Sequence, residues 1–185
     1  MAMAKPVLIV LVLVFALTTL GATPVWAQRR GDCRGAQATG WQGQMASETE
    51  PGERLRVSGR VLDSTGKPMA GILILAYQTD VEGYYSPAGE NERDARLCAV
   101  IRTNESGEYS FDTIRPGAYP NGGVPEHIHF ELWGDGIARQ RRDLQFADDD
   151  LVPERRKRDL SRTSTVRPIM READAWRVER DFEIR

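Results

Sequence analysis

The sequence predicts an all-β domain, a two-sheet β-sandwich. Three observations predict it. Short segments alternate apolar and polar residues with a period of two. Clusters of Gly, Pro, Asn and Asp divide those segments. No stretch carries the 3.6 period of a convincing amphipathic helix. Several short strands separated by turns is the pattern of a sandwich or barrel.

The elements follow in order. Residues 1–27 read as a secretory signal. Lys5 supplies the positive end, Val7 to Leu20 is a nearly unbroken apolar run, and Val25-Trp26-Ala27 places small residues at a cleavage site. The run is short for a membrane span, so no stable membrane anchor is expected after cleavage. The expected location is periplasmic or extracellular. Residues 28–53 are polar, rich in Gln and Gly, and without period. They read as an N-terminal arm. The domain is expected over 54–185, with order beginning near Leu55.

Leu55 to Val61 alternates and reads as the first strand, closed by the turn cluster Asp63 to Pro68. Gly71 to Gln78 is an apolar run of strand length. Thr103 to Gly107 is a turn, and Glu108 to Ile114 alternates Tyr109, Phe111 and Thr113 against Ser110 and Asp112. Arg115 to Pro125 holds three prolines and three glycines and can be neither helix nor central strand. Glu126 to Trp133 is a strand, and Leu144 to Phe146 starts another. Asp148 to Asp150 and Arg155 to Arg158 read as solvated loop. Trp176, Val178, Phe182 and Ile184 share one face of a closing strand.

Composition narrows the function. Lys plus Arg is 25 and Asp plus Glu is 27 in 185 residues, so no excess of positive charge points to nucleic acid. Two cysteines exclude a cysteine-rich zinc module and a disulfide-dense miniprotein. In an exported chain Cys33 and Cys98 are free to pair. The other reading buries Cys98 as a small apolar residue. The oligomeric state is left open, and an oligomer is compatible with these features.

The only two histidines are His127 and His129. On a strand both point to one face, with Ile128 and Phe130 on the other. Two adjacent imidazoles can bind one metal ion, or can form a hydrogen-bonded pair. Glu131 shares their face and could add a carboxylate. The cupin pattern fits poorly, because it needs an acidic residue further along. Tyr119 sits on a rigid turn between Gly117 and Pro120, and Tyr84-Tyr85 follows Gly83 on another loop. Such tyrosines either pack or ligate iron as phenolates, because a hard trivalent ion lowers the phenol pKa. The expected metal site is therefore built on loops and one strand.

Three motifs in this order, Gly83-Tyr84-Tyr85, Pro116-Gly117-Ala118-Tyr119-Pro120 and His127-Ile128-His129, resemble the intradiol ring-cleavage dioxygenases. These are the catechol and protocatechuate dioxygenases. The resemblance covers about Leu55 to Phe146. It implies Fe(III) held by Tyr85, Tyr119, His127 and His129, with Tyr84 as a packing residue. Tyr119 and His129 would be axial, and Tyr85 and His127 equatorial. The implied partners are a small aromatic diol and O₂. Tyr119 would act as a base, and the ring would open between its two hydroxylated carbons to a muconate-type diacid. The chain departs from the family at Val124, where an arginine is usual. Arg102 and Arg115 are candidates to supply that guanidinium. The same β pattern also resembles transthyretin-like and carboxypeptidase-regulatory-like sandwiches, which are metal-free binding modules. Those have no reason to contain the tyrosine and His-x-His set.

Overall fold

The computed structural model describes residues 33, 37, 38, 40–87, 95–134, 136–159 and 161–184. The expected signal lies outside the described residues. The strands are β1 (Gln42–Gln44), β2 (Arg54–Asp63), β3 (Leu73–Gln78), β4 (Leu97–Arg102), β5 (Glu108–Ile114) and β6 (His127–Gly134). They continue as β7 (Ile137–Phe146), β8 (Val166–Arg167), β9 (Ile169–Glu172), β10 (Ala175–Glu179) and β11 (Phe182–Ile184). One helical turn, α1 (Glu154–Lys157), lies between β7 and β8.

The strands form two mixed sheets. One has the order β1-β5-β2-β10-β9, with β11 also on β2. The other has the order β4-β3-β6-β7-β8. Alternation decides which residues lie between them. Val57 and Val61 from β2, Tyr109 and Phe111 from β5, and Val178 and Phe182 from β10 and β11 face Ile74, Ile101, Ile128, Phe130, Leu132, Leu144 and Phe146. This is the expected sandwich.

A second apolar cluster lies on the outer face of the β4-β3-β6-β7-β8 sheet. It holds Leu75, Tyr77, Tyr85, Ala95 and Val100, with Cys98, Tyr119 and Trp133 packed against it. The residues of β6 that alternate with Ile128 and Phe130 belong to this side. The inner face therefore builds the core, and the outer face is left for chemistry.

Four features differ from the sequence reading. The fold reaches N-terminal of Leu55, because β1 pairs with β5 in parallel and Met45 and Ala46 are buried in the core. β4, the apolar run Leu97–Arg102, is a strand that the sequence reading left unassigned, and most of β7 is a strand that its charges obscured. The closing strand is two pieces, although both keep one register on β2, with Val178 opposite Val57 and Phe182 opposite Val61. The break falls where the Arg180 carbonyl accepts a hydrogen bond from the Tyr109 hydroxyl at 2.6 Å. Finally, part of the acidic run is structural, as shown below.

Cys33 and Cys98 form a disulfide, with their Cα atoms 6.1 Å apart. It ties residue 33 to β4 beside the outer cluster. The bridge spans 65 residues of sequence. For a loop of that length, restricting the unfolded chain contributes about 4 kcal/mol. Replacing both cysteines by serine should lower the urea midpoint, with the extrapolated unfolding free energy falling by about 2–4 kcal/mol. An unchanged midpoint would mean that the bridge carries no stability.

Candidate metal centre

The site begins with the register of β6. His127 and His129 are both nearly buried on the outer face. Each ring has its Nδ1 occupied. The His127 Nδ1–H donates to the Pro125 carbonyl at 2.7 Å, and the His129 Nδ1–H donates to Asp143 Oδ1 at 2.6 Å. A carbonyl and a carboxylate only accept, so each ring carries a proton on Nδ1 and leaves Nε2 to face the site. Those two Nε2 atoms are 3.0 Å apart. Burial also pushes the His127 imidazole below its ordinary pKa, so the ring is neutral at pH 7.

Asp143 faces His129 across the β6–β7 ladder. Burial alone would raise its carboxyl. The hydrogen bond from His129 leads the effects that outweigh burial and hold it below the usual range, with Arg141 the smallest of them. A carboxylate on Nδ1 fixes the ring and makes Nε2 a better donor to a metal.

Two loops bring the tyrosines to the same point. The Tyr85 and Tyr119 hydroxyl oxygens are 2.5 Å apart, and the Tyr119 hydroxyl is 3.1 Å from His127 Nε2. Tyr85 is 2% exposed, whereas its neighbour Tyr84 is 37% exposed. Tyr77 of β3, opposite His129 in the ladder, packs its ring 5.0 Å from that imidazole and 6.4 Å from the Tyr85 ring.

The glycines of the two tyrosine motifs explain themselves here. Gly83 has φ +89°, and a Cβ on it would overlap the Ala118 carbonyl oxygen. A Cβ on Gly117 would overlap the Val81 carbonyl oxygen. Each tyrosine loop thus packs its backbone against the other at the residue two before its tyrosine. Asp80 ties the pair together. Its carbonyl accepts from both Gly83 N and Gly117 N, and its carboxylate accepts from Glu82 N and Tyr84 N. The Thr79 hydroxyl donates to the Gly117 carbonyl at 2.8 Å.

The second loop is clamped at both ends. Arg115 Nε donates to Glu126 Oε2 at 2.6 Å, and its two Nη atoms donate to Asp148 at 2.7 and 3.1 Å. Glu126 N donates to Asp149 Oδ2 at 2.7 Å. Asp148 and Asp149, expected to be solvated surface, hold the segment that carries Tyr119 and enters His127.

The structure therefore gathers Tyr85, Tyr119, His127 and His129 into one constellation. Glu131 accepts a hydrogen bond from Arg139 at 2.6 Å. Among the described residues no group of three or more His, Cys, Asp or Glu is placed to hold a metal. The expected replacement arginines are also engaged elsewhere. Arg102 donates to the Gly71 carbonyl, and Arg115 belongs to the clamp. Sequence reading missed Asp143 and Arg141, which lie on the unrecognised part of β7. The signal that could have found them is the hairpin itself, since a strand after His-x-His must pair back across it.

The donor set fits a hard trivalent ion. The two imidazoles bring their Nε2 atoms to 3.0 Å, and two phenols stand beside them. Lone pairs this close repel unless a cation or proton lies between them. Two phenolates would offset much of a 3+ charge.

Comparison with known proteins gives the same direction. A family model described as Dioxygenase matches residues 24–169. The protocatechuate 3,4-dioxygenase beta chain of Burkholderia cepacia is 41% identical over 115 residues, covering 55% of this chain and 48% of that one. Catechol 1,2-dioxygenase 2 of Acinetobacter lwoffii is 26% identical over 145 residues, covering 70% of this chain and 53% of its own. The chain spans about half the length of these relatives. Among solved structures, the dioxygenase domain of a dioxygenase carbohydrate-binding protein fusion from Streptomyces sp. SirexAA-E shares the fold. Its TM-score is 0.63 at 23% identity, over 80% of this chain and 90% of that one.

The two tyrosines of the Tyr84-Tyr85 pair should separate cleanly. Tyr84→Phe should bind one ferric ion per chain, and Tyr85→Phe should bind it weakly or not at all, measured by metal analysis after reconstitution. The reverse result would reassign the ligand. Gly117→Ala should destabilise the fold by about 1–3 kcal/mol, because backbone must move to admit the methyl. Thermal unfolding of the metal-free protein checks this, and an unchanged midpoint would refute the backbone contact.

Proposed function

The chain belongs to the intradiol ring-cleavage dioxygenase family, and we propose that it is an exported Fe(III) enzyme that opens a catechol-type ring. The ring would be cut between its two hydroxylated carbons, with both atoms of O₂ entering a muconate-type diacid. The observation that carries this reading is the convergence of four donor atoms, two phenol oxygens and two imidazole Nε2, at one buried point. A metal-free sandwich module has no use for that set. Export is inferred from residues 1–27 and agrees with the Cys33–Cys98 disulfide, since such bridges persist outside the cytoplasm.

Tyr85, Tyr119, His127 and His129 would hold the ion. When bound, it supplies a Lewis acid and a template for the two oxygens of the diol. The rest follows from the chain's own groups. The two histidines are presented through Nε2 because Pro125 and Asp143 hold their Nδ1 protons. Tyr85 is fully enclosed and stays fixed. Tyr119 is less enclosed, rides on the Gly117 loop, and has His127 Nε2 within 3.1 Å. Tyr119 is therefore the group suited to leave and accept a proton at Oη from an incoming diol hydroxyl. The Arg115 clamp lets that side chain move without releasing the loop. Tyr77 and Leu75 give the outer face an apolar wall suited to an aromatic ring.

The test is oxygen uptake coupled to product analysis with catechol as substrate. One O₂ consumed per ring and a diacid product are expected. His127→Ala and His129→Ala should each reduce turnover by at least a thousandfold and lose the metal. Cleavage outside the two hydroxylated carbons, or full activity in either variant, would overturn the reading.

A further inference from the structure

A row of side chains crosses the outer face of the sheet at right angles to its strands. Cys98 of β4 lies opposite Tyr77 of β3, Tyr77 opposite His129 of β6, and His129 opposite Asp143 of β7. Directly opposed residues point to the same face, and neighbouring strands stand about 4.8 Å apart. The Cys33–Cys98 bridge therefore sits two strands, about 10 Å, from the second histidine, with Tyr77 between them.

The bridge also reaches the tyrosine side. Two residues before Cys98, Arg96 N donates to the Tyr85 carbonyl at 2.7 Å. The Arg96 guanidinium donates to Glu50 at 2.6 and 2.8 Å and to Asp80 at 3.4 Å, and Asp80 is the residue that fastens the two tyrosine loops. The stretch from Arg96 to Cys98 thus backs Tyr85. From the other side of the bridge, Cys33 and Ala38 pack on the cluster of Leu75, Tyr77, Tyr85 and Val100. Leu75 and Tyr77 stand on the outer face of a sheet, yet each is 2% exposed. The part of their cover that comes from the N-terminal arm is held at one end by the bridge. At the other end the Gly40 carbonyl accepts from Arg102 N at 2.7 Å. Opening the bridge frees the end that lies beside Tyr77.

Resting on the dioxygenase reading, we infer that Cys33 and Cys98 are positioning residues of the metal centre. Their bridge holds Tyr77 and Tyr85 against the histidines, so the chain retains a hard trivalent ion tightly only when oxidised. Bridge formation takes the two thiols and a disulfide oxidant. One S–S bond forms in the chain, one breaks in the oxidant, and the oxidant leaves as two thiols carrying the two protons. In an exported chain this makes iron retention follow export, because the reduced chain made in the cytoplasm holds the ion poorly.

One experiment follows release of ferric ion from the loaded protein to excess EDTA, read as decay of the visible phenolate-to-iron band. The Cys33→Ser/Cys98→Ser variant should release the ion at least tenfold faster than wild type. Val178→Ala, which weakens the core at β10 in the other sheet, should release it within twofold of the wild-type rate. A second experiment needs no substitution, and it decides alone if the double variant does not fold. Metal-free wild-type protein is reduced with dithiothreitol, freed of reductant and titrated with Ga(III), a trivalent ion that neither oxidises thiols nor is reduced by them. Phenolate absorbance reports binding. Reduction should weaken Ga(III) binding at least tenfold, and reoxidation with oxidised glutathione should restore it. Equal release from wild type and the double variant, equal acceleration in Val178→Ala, or Ga(III) binding indifferent to reduction would overturn the role of the bridge while the dioxygenase reading stands. If the oxidised wild-type protein holds neither ion, the dioxygenase reading itself fails and takes this inference with it.

Discussion

Ile128, Phe130 and Leu132 are locked between the two sheets, and this fixes everything on the other side of β6. A strand places alternate residues on opposite faces, so burying these three leaves His127 and His129 on the outer face. A slip of one residue would bury two imidazoles in the core and expose three large apolar side chains. Removing Phe130 alone would forfeit about 3–5 kcal/mol. The core thus enforces the position of the histidines far more strongly than the histidines could themselves. Their rings are then finished by two acceptors, the Pro125 carbonyl and the Asp143 carboxylate, which turn both Nε2 atoms inward.

The tyrosines reach the same point by a different device. They sit on loops, where side-chain position depends on how well the backbone is held. Here the two loops hold each other. Gly83 and Gly117 allow backbone to approach backbone closer than any Cβ would permit, and Asp80 and Thr79 fasten the contact. The Arg115–Glu126–Asp148 network then closes the ends of the second loop. Strand register supplies the rigid half of the site and interlocked loops supply the adjustable half.

Much of this was legible in the sequence, for particular reasons. Period-two alternation exposes β2, β5 and β6 because each has one face in the core. The His-x-His pair is readable because a strand leaves no ambiguity about which side chains are neighbours. The glycines of the tyrosine motifs are readable as motifs, although their cause, contact between two loops distant in sequence, is not. β7 was hidden for a physical reason. Its run Arg139-Gln140-Arg141-Arg142-Asp143 looks like a solvated loop, yet Arg141 and Asp143 lie opposite Glu131 and His129 on the outer face of a sheet. A register shift between Leu132 and Gly134 also breaks simple counting across the hairpin, so Asp143 could not be placed opposite His129 from the turn alone. β1 was hidden because Gln42–Gln44 holds no apolar side chain, and the two buried residues that follow it, Met45 and Ala46, are too few to show a period.

The most direct measurement is anomalous diffraction at the iron edge from crystals of the protein loaded with ferric ion. The account predicts one peak per chain, within bonding distance of Tyr85 Oη, Tyr119 Oη, His127 Nε2 and His129 Nε2, with Asp143 and Glu131 outside the coordination sphere. A peak bonded to Glu131 or Asp143, or a fully loaded protein whose iron lies away from the two tyrosines, would contradict it.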